Sequence, residues 1–388
     1  MPVDVISFQE ALAQTENLRR HLLLGNGFSI ALFPDCFRYD SLLESADESG
    51  LFDDMPEARR VFNELGTQDF EEVIDALRST IRVIPFYTDE TTLPDSMTAH
   101  AEALKEILVQ AIAGRHPERP ADINDEQYEA CRDFLGNFVG DRRVLEIGGR
   151  DKDVRGNIYT LNYDLLLYWT LLHDDIIRWN DLTDMTTITF EEDDEELKHD
   201  DGFRVSDIDP DAPYVAWEAE GAANSQNIHY LHGAIHLFDD GPELQKYCWE
   251  RSGGIPLIDQ TRAALDRNLF PLFVSEGNTL GKLARIRHSG YLQRSLRSFA
   301  GVCRAPRGGS CLFVFGHSLA DNDQHILKYL AKGSIPKVYI SLYGDPDSDA
   351  NRRIVASANR IIADRSDRYE LEVIFYCAQS ANVWGANE

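Results

Sequence analysis

Six short apolar runs, at about residues 20–24, 157–161, 227–231, 311–315, 337–342 and 371–376, constrain this chain more than any other feature. They are rich in Leu, Ile, Val, Phe and Tyr, and helical stretches or long insertions separate them. A near-continuous apolar run of strand length suits a strand buried on both faces, and long crossovers between such strands go with parallel pairing. The pattern predicts an α/β fold with a Rossmann-like, doubly wound, mainly parallel six-stranded sheet in a single domain over residues 1–388. A helix from about Phe8 to Thr15 is expected before the first run. With 43% hydrophobic residues in 388, the chain has ample material for a core.

Two insertions interrupt the alternation. Residues 41–153 read as helical: Phe70, Val73, Ile74 and Leu77 keep i, i+3, i+4, i+7 spacing. Leu104, Ile107, Leu108, Ala111 and Ile112 repeat it, as do Cys131, Phe134, Leu135, Phe138 and Val139. Residues 238–300 form the second insertion, which ends in a basic helical stretch carrying Lys282, Arg285, Arg287, Arg294 and Arg297. The segment 181–211 holds 13 acidic residues against Lys198 and Arg204, and reads as a solvated acidic loop.

Four of the apolar runs break into polar residues at their C-terminal ends, where open α/β sheets bind ligands. The first gives Gly25-Asn26-Gly27-Phe28-Ser29. A strand that ends in Gly-x-Gly and opens into a helix brings backbone N–H groups up to a phosphate; Gly25 allows the turn and Gly27 clears room for ligand oxygens. A third glycine of the dinucleotide fingerprint would fall at Ile30, so ordinary dehydrogenase-type binding is not supported. The others end in Thr160-Leu161-Asn162-Tyr163-Asp164, in His232-Gly233, and in Gly316-His317-Ser318-Leu319-Ala320-Asp321-Asn322-Asp323, while Phe37-Arg38 follows the first loop.

Taken together, these segments resemble the SIR2-like, sirtuin-type NAD-binding family. Gly25–Ser29 is similar to that family's Gly-Ala-Gly-x-Ser loop. Phe37-Arg38 is similar to the end of its Pro-Asp-Phe-Arg segment, with Asp35 one place out of register. Residues 160–164 resemble Thr-Gln-Asn-Ile-Asp, His232-Gly233 the catalytic His-Gly, and Gly316–Leu319 the Gly-Thr-Ser-Leu that holds a ribose. In particular the chain resembles the bacterial SIR2-like group DUF4917, where a Gly-Asn-Gly start and Gly-x-Ser-Leu-x-Asp-x-Asp are typical. The resemblance implies a sirtuin-type fold that binds NAD through Gly25, Asn26, Gly27, Ser29, Phe37, Arg38, Thr160, Gly316, Ser318, Leu319 and Asp321, with Asn162, His232 and Asp164 as catalytic residues.

It departs from the deacylases in one respect. None of Cys36, Cys131, Cys248, Cys303, Cys311 and Cys377 stands two residues from another, so the paired Cys-x-x-Cys of a zinc ribbon is missing. The implied acceptor is then water rather than an acyl-lysine. The expectation is an NAD+ glycohydrolase, with NAD as substrate and no metal, of the kind associated with bacterial anti-phage defence. An activating or sensor protein, or a homo-oligomer, is the expected means of control. A nucleotide-sensing module without turnover, an ADP-ribosyl transferase and a deacylase are the alternatives.

The residue types suit that chemistry, and each also has a plain structural use. Asn162 can hydrogen-bond a ribose hydroxyl or a water, or cap the helix that follows. His232 can take a proton near neutrality, or simply make a turn; His229 and His236 read as structural. Asp164 can orient Asn162 or cap a helix. Arg38 can meet a phosphate or anchor its loop. Ser29 and Ser318 offer hydroxyls or start helices, and Asp321 and Asp323 suit a ribose or a helix N-terminus. The net charge, 38 − 66 = −28, disfavours direct nucleic-acid binding. No secretory start and no apolar run of about 20 residues appears, and the cysteines are scattered, so a soluble cytoplasmic protein without membrane partners is expected.

Overall fold

The computed structural model describes residues 3–385 apart from 90–91, 141, 146–150, 172–196, 198, 220–224, 249–254, 268, 277, 306–308 and 367. In chain order the strands are β1 (Val5–Ile6), β2 (Arg19–Leu24), β3 (Arg143–Leu145), β4 (Asp151–Asp153), β5 (Ile158–Thr160), β6 (Phe203–Val205), β7 (Tyr214–Trp217), β8 (Ile228–Tyr230), β9 (Leu237–Asp239), β10 (Leu244–Tyr247), β11 (Ser310–Phe315), β12 (Lys337–Leu342) and β13 (Glu372–Cys377). Seven of them form one all-parallel sheet in the order β1-β13-β12-β11-β2-β5-β8. The six expected runs are all in it. The seventh strand, β1, is a correction to the expected count: two residues pairing with β13 are too short to leave a periodic signal.

The order explains where a site can form. From β2 the chain steps outward to β5 and β8, then returns to β11 on the other flank of β2 and steps outward to β12 and β13. The switch of direction therefore lies between β2 and β11, at the edge where doubly wound sheets open a crevice. Leu22, Leu23 and Leu24 face Phe313, Val314 and Phe315 across this junction, all of them buried, so two central strands without a solvated face hold the two motif loops in register.

Helices Tyr39–Glu48, Pro56–Leu65, Phe70–Val83, Thr92–Arg115 and Asp125–Val139 occupy most of the first insertion, and the three expected apolar stripes are buried. Local chemistry starts several of them. Asp69 accepts from Glu71 N at 2.9 Å at the head of Phe70–Val83, and Asn124 with Gln127 makes a reciprocal capping box. The helix expected from Phe8 runs Phe8–Ala13 behind a Ser7–Glu10 capping box.

Two features were not expected. The first insertion closes with the antiparallel hairpin β3–β4, and a four-stranded antiparallel sheet, order β6-β7-β10-β9, draws on both the acidic segment and the second insertion. Residues 181–196 and 198 of that acidic segment lie outside the described residues, but Phe203–Val205 is a strand, and Asp200 and Asp201 pair with Arg204 and Lys246 rather than with solvent alone. The basic stretch is two helices, Thr279–His288 and Gly290–Cys303, divided at Ser289. Near the far end of the chain, Trp384 Nε1 donates to Phe28 O at 2.8 Å and its ring lies 4.8 Å from that of Phe28. Among the described residues no helix is long and apolar enough to cross a membrane.

Candidate functional site

The Gly-x-Gly loop is fitted to protein, not held open. Gly25 N donates to Phe315 O at 2.9 Å and Gly27 N to Gly316 O at 2.8 Å. A Cβ on Gly25 would stand 2.7 Å from Gly316 O, and one on Gly27 2.6 Å from Gly316 Cα. Gly316 itself sits at φ +67°, so all three glycines serve one close crossing of two backbones. This corrects the expectation for the loop. The clearance at Gly27 is filled by Gly316, and the Phe28 and Ser29 amides are also taken, by Gly25 O and Asn26 O, so these N–H groups are not aimed at a phosphate.

Around the loop the expected binding residues divide into buried and exposed sets. Asn26 Nδ2 donates to Phe37 O at 2.9 Å, and Phe37 is buried edge-on to His116. Leu319 is fully buried at φ +53°, its N–H donating to His317 Nδ1 at 2.9 Å. Arg38, by contrast, is exposed and paired with Asp40 at 3.5 Å, Ser318 is exposed, and Asp321 is exposed and paired with Arg360 at 3.1 Å. The structure does not bring these three into the buried cluster.

Ser29, Asn162 and Asp164 come together as a chain of hydrogen bonds. Asn162 Nδ2 donates to Ser29 Oγ at 2.9 Å, and Ser29 Oγ donates to Asp164 Oδ2 at 2.5 Å. The other Asp164 oxygen accepts from Leu166 N at 2.9 Å and so caps the helix Leu166–Leu171, while Asn162 N rests on the buried Thr160 Oγ1 at 3.1 Å. Asp164 is thus both a cap and, through Ser29, the group that orients Asn162. Burial raises its carboxyl above the ordinary value, against the lowering effect of the Ser29 and Leu166 bonds.

A second buried group is built around His232. Its backbone is pinned: His232 O accepts from Val274 N at 3.0 Å, and Gly233, at φ +80°, leaves no room for a Cβ against Leu272 O. The imidazole lies near Tyr163, with centroids 6.1 Å apart, and its Nε2 is 2.8 Å from His325 Nε2 and 4.0 Å from Asp323 Oδ1. Asp323 also accepts from His317 Nε2 at 3.0 Å and pairs with Lys282 Nζ at 3.0 Å. Lys282, buried, reaches Glu71 Oε2 at 2.7 Å, and Glu71 in turn accepts from Tyr163 OH at 3.2 Å and Asn322 Nδ2 at 3.1 Å.

Two carboxylates therefore share one ammonium. Burial raises the Asp323 carboxyl, but the His317 bond, Lys282 and the other imidazole outweigh it and hold it well below the carboxylate range. Glu71 has the poorer share: burial, with Asp323 and Asp69 nearby, pushes it up to about 7 despite Lys282. Burial would lower Lys282, yet the two carboxylates keep it above the ordinary lysine value. His232 is held well below the usual histidine value by burial first, then by Lys282 and His325. At neutral pH the imidazole is neutral, and its surroundings make it a weaker base than a free histidine.

His232, Asp323 and His325 offer atoms within 4.8 Å of one another, a set that could be read as metal ligands. The two imidazoles, however, meet end to end. Their centroids are 5.0 Å apart and their Nε2 atoms 2.8 Å, and the 2.2 Å that remains is about one centroid-to-nitrogen radius for each ring. Both nitrogens thus lie on the line of centres, which is hydrogen-bond geometry, and their lone pairs do not converge on a common point as a chelate needs. His229, bonded to Ser298 at 3.1 Å, and His236, buried with neither ring nitrogen partnered among the described residues, stand apart from this group.

Sequence reading found His232, Asn162, Asp164 and Ser29 but assigned no role to Glu71, Lys282, His317, His325 or Tyr163. Lys282 stood in a basic helical stretch and Glu71 in the first turn of a helix, where acidic residues ordinarily serve the dipole.

Fold and site together define an α/β protein with a doubly wound parallel sheet and a buried polar cluster at its C-terminal edge. The chain belongs to the family described as a domain of unknown function, DUF4917, which it matches over residues 22–384. Comparison with curated proteins finds no match.

Proposed function

We propose that this protein is an NAD+ glycohydrolase of sirtuin type, cleaving NAD+ to nicotinamide and ADP-ribose. One observation carries the reading. Thr160 and Tyr230 are paired Cα partners on adjacent parallel strands, and Asn162 and His232 each stand two residues beyond them, beside the switch point that Gly25 and Gly316 mark. The bond between ribose C1′ and the nicotinamide nitrogen breaks with its electron pair passing to the nicotinamide ring. Water adds to C1′, and His232 takes the proton that water loses. Asn162, oriented through Ser29 and Asp164, holds the ribose or the water, and the ionised Asp323 supplies negative charge close to the developing oxocarbenium. The exposed Ser318 and Arg38 are the groups left to meet phosphates. Water as acceptor rests on the missing Cys-x-x-Cys pairs. An enzyme that consumes NAD requires restraint, which supports a regulated anti-phage effector in the cytoplasm, controlled by a protein partner or by self-assembly.

The test is to incubate the full chain with NAD+, alone and with the products of neighbouring genes, and measure nicotinamide and ADP-ribose. Asn162→Ala and His232→Ala should lower turnover by about 10²–10⁴. Calorimetric NAD affinity should change by no more than the ~0.5–1.5 kcal/mol of one neutral hydrogen bond. Near wild-type turnover in both variants rejects these residues as catalytic, and nicotinamide release that requires an acyl-lysine peptide rejects hydrolysis. A nucleotide sensor, the alternative reading, predicts binding without cleavage under every condition.

A further inference from the structure

Resting on the glycohydrolase reading, we infer that His116 is a positioning residue that holds the Asn162–Asp164 loop and the glycine loop in place from behind. Pro117 ends the long helix Thr92–Arg115 just before it, because proline disfavours helical conformation in the residue it follows. His116 is buried at that helix end, and both of its ring nitrogens meet backbone groups of fixed polarity. Nε2 lies 3.0 Å from Leu165 N, which can only donate, and Nδ1 lies 2.9 Å from Pro117 O, which can only accept. The ring is therefore neutral and carries its proton on Nδ1. Burial acts in the same direction, lowering the imidazole to about 4.

The partners tie His116 to the site on two sides. Leu165 follows Asp164, and the two side chains divide the amides at the start of the helix Leu166–Leu171: His116 takes Leu165 N and Asp164 Oδ1 takes Leu166 N. With that carboxyl oxygen fixed, the other accepts from Ser29 Oγ, which in turn accepts from Asn162 Nδ2. On the opposite side the ring of His116 meets Phe37 edge-on, with centroids 5.6 Å apart, and Phe37 O accepts from Asn26 Nδ2 in the glycine loop. Ser29 N donates to Asn26 O at 3.1 Å, so the contacts close a circuit from His116 through Asp164 and Ser29 to Asn26 and Phe37 and back. Trp169, also edge-on at 4.8 Å, packs against the same ring. A helix of the first insertion thus sets the geometry of two loops that leave β2 and β5. Without an acceptor at Nε2, Leu165 N–H is a buried donor with no partner, and the loop that carries Asn162 must shift to satisfy it.

The test uses the full chain and two variants. His116→Gln keeps an amide oxygen that can accept from Leu165 N–H, and His116→Leu keeps bulk without an acceptor. The first arm is ¹H–¹⁵N NMR near pH 7. We expect wild-type His116 protonated at Nδ1 alone; protonation at Nε2 overturns the inference. In the Leu variant the Leu165 amide should lose about tenfold in hydrogen-exchange protection, as for one lost hydrogen bond, and the Asn162 side-chain amide signals should shift. Both should stay near wild type in the Gln variant. Unmoved Asn162 signals in a folded Leu variant overturn the positioning role whether or not the protein cleaves NAD. The second arm is kinetic, under conditions in which wild type cleaves NAD. The Leu variant should lose about 10² in kcat with KM within about threefold, as a small misplacement of reacting groups does, and the Gln variant should stay within about tenfold of wild type. Thermal unfolding establishes that the variants are folded, and His116→Phe, which keeps a ring against Phe37 and Trp169, takes the place of a Leu variant that does not fold. Wild-type kcat in a folded Leu or Phe variant, or an equal loss in a folded Gln variant, overturns the role. Absence of cleavage by wild type under every condition rejects the glycohydrolase reading and leaves the NMR arm to decide whether His116 holds Asn162.

Discussion

At the scale of single residues, glycine's lack of a side chain is used for packing. Gly27 meets Gly316 so closely that Gly27→Ala places a methyl 2.6 Å from a backbone carbon that cannot rotate away. We expect this substitution to cost about 1–3 kcal/mol in urea unfolding, the usual penalty for overpacking. A neutral result would mean that the two loops separate easily. His232 and Asn162 were legible in the sequence because each ends an apolar run, and a strand's end tells where its next residues emerge. His325 was not legible. It is 93 residues from His232, on a helix whose pattern carries no sign of which loop will lie across from it.

At the scale of elements, the Glu71–Lys282 pair joins the helix Phe70–Val83 of the first insertion to the helix Thr279–His288 of the second. Glu71 has a folded pKa of about 7, above its unfolded value of about 4.5, so the native state holds more protons between those values. Its contribution is full below pH 4.5 and is lost as pH rises through 7. Measured against Glu71→Gln, the wild type should lose up to roughly 3 kcal/mol of unfolding free energy between pH 4.5 and pH 8. A difference between the two that does not change with pH overturns the assignment. Lys282→Met leaves two buried carboxyls without their cation, and urea unfolding at pH 7 should show a loss of about 3–5 kcal/mol, less in the Glu71→Gln background. The long helices were legible because their stripes repeat over several turns. The antiparallel sheet was not, since its strands are only three or four residues long and their burial does not alternate cleanly.

At the scale of the whole molecule, the parallel sheet and the placement of four motif loops at one sheet edge followed from runs of apolar residues and where each one stops, while the order of the strands did not. The identity of the chemistry did not, because a buried polar cluster is assembled by pairings between distant segments. The formal charge of −28 has its own consequence. Fluorescence anisotropy with labelled duplex DNA at 0.15 M salt should show no binding, because phosphates need a concentrated basic surface. Micromolar affinity there would point to a basic face formed by the helices Thr279–His288 and Gly290–Cys303.

The Trp384–Phe28 contact links residues 356 positions apart, and β2 waits for β11 from the far side of the chain. Contacts this distant are slow to form, since loop closure must precede the gain they bring. A chain emerging from the ribosome thus carries its glycine loop for most of synthesis without the wall that shapes it. In time-resolved hydrogen exchange during refolding, the amides of residues 25–30 should be among the last protected, together with β11 and the segment around Trp384. If the proposed glycohydrolase activity holds, the chain would then be inert while nascent, its folding order serving as a delay.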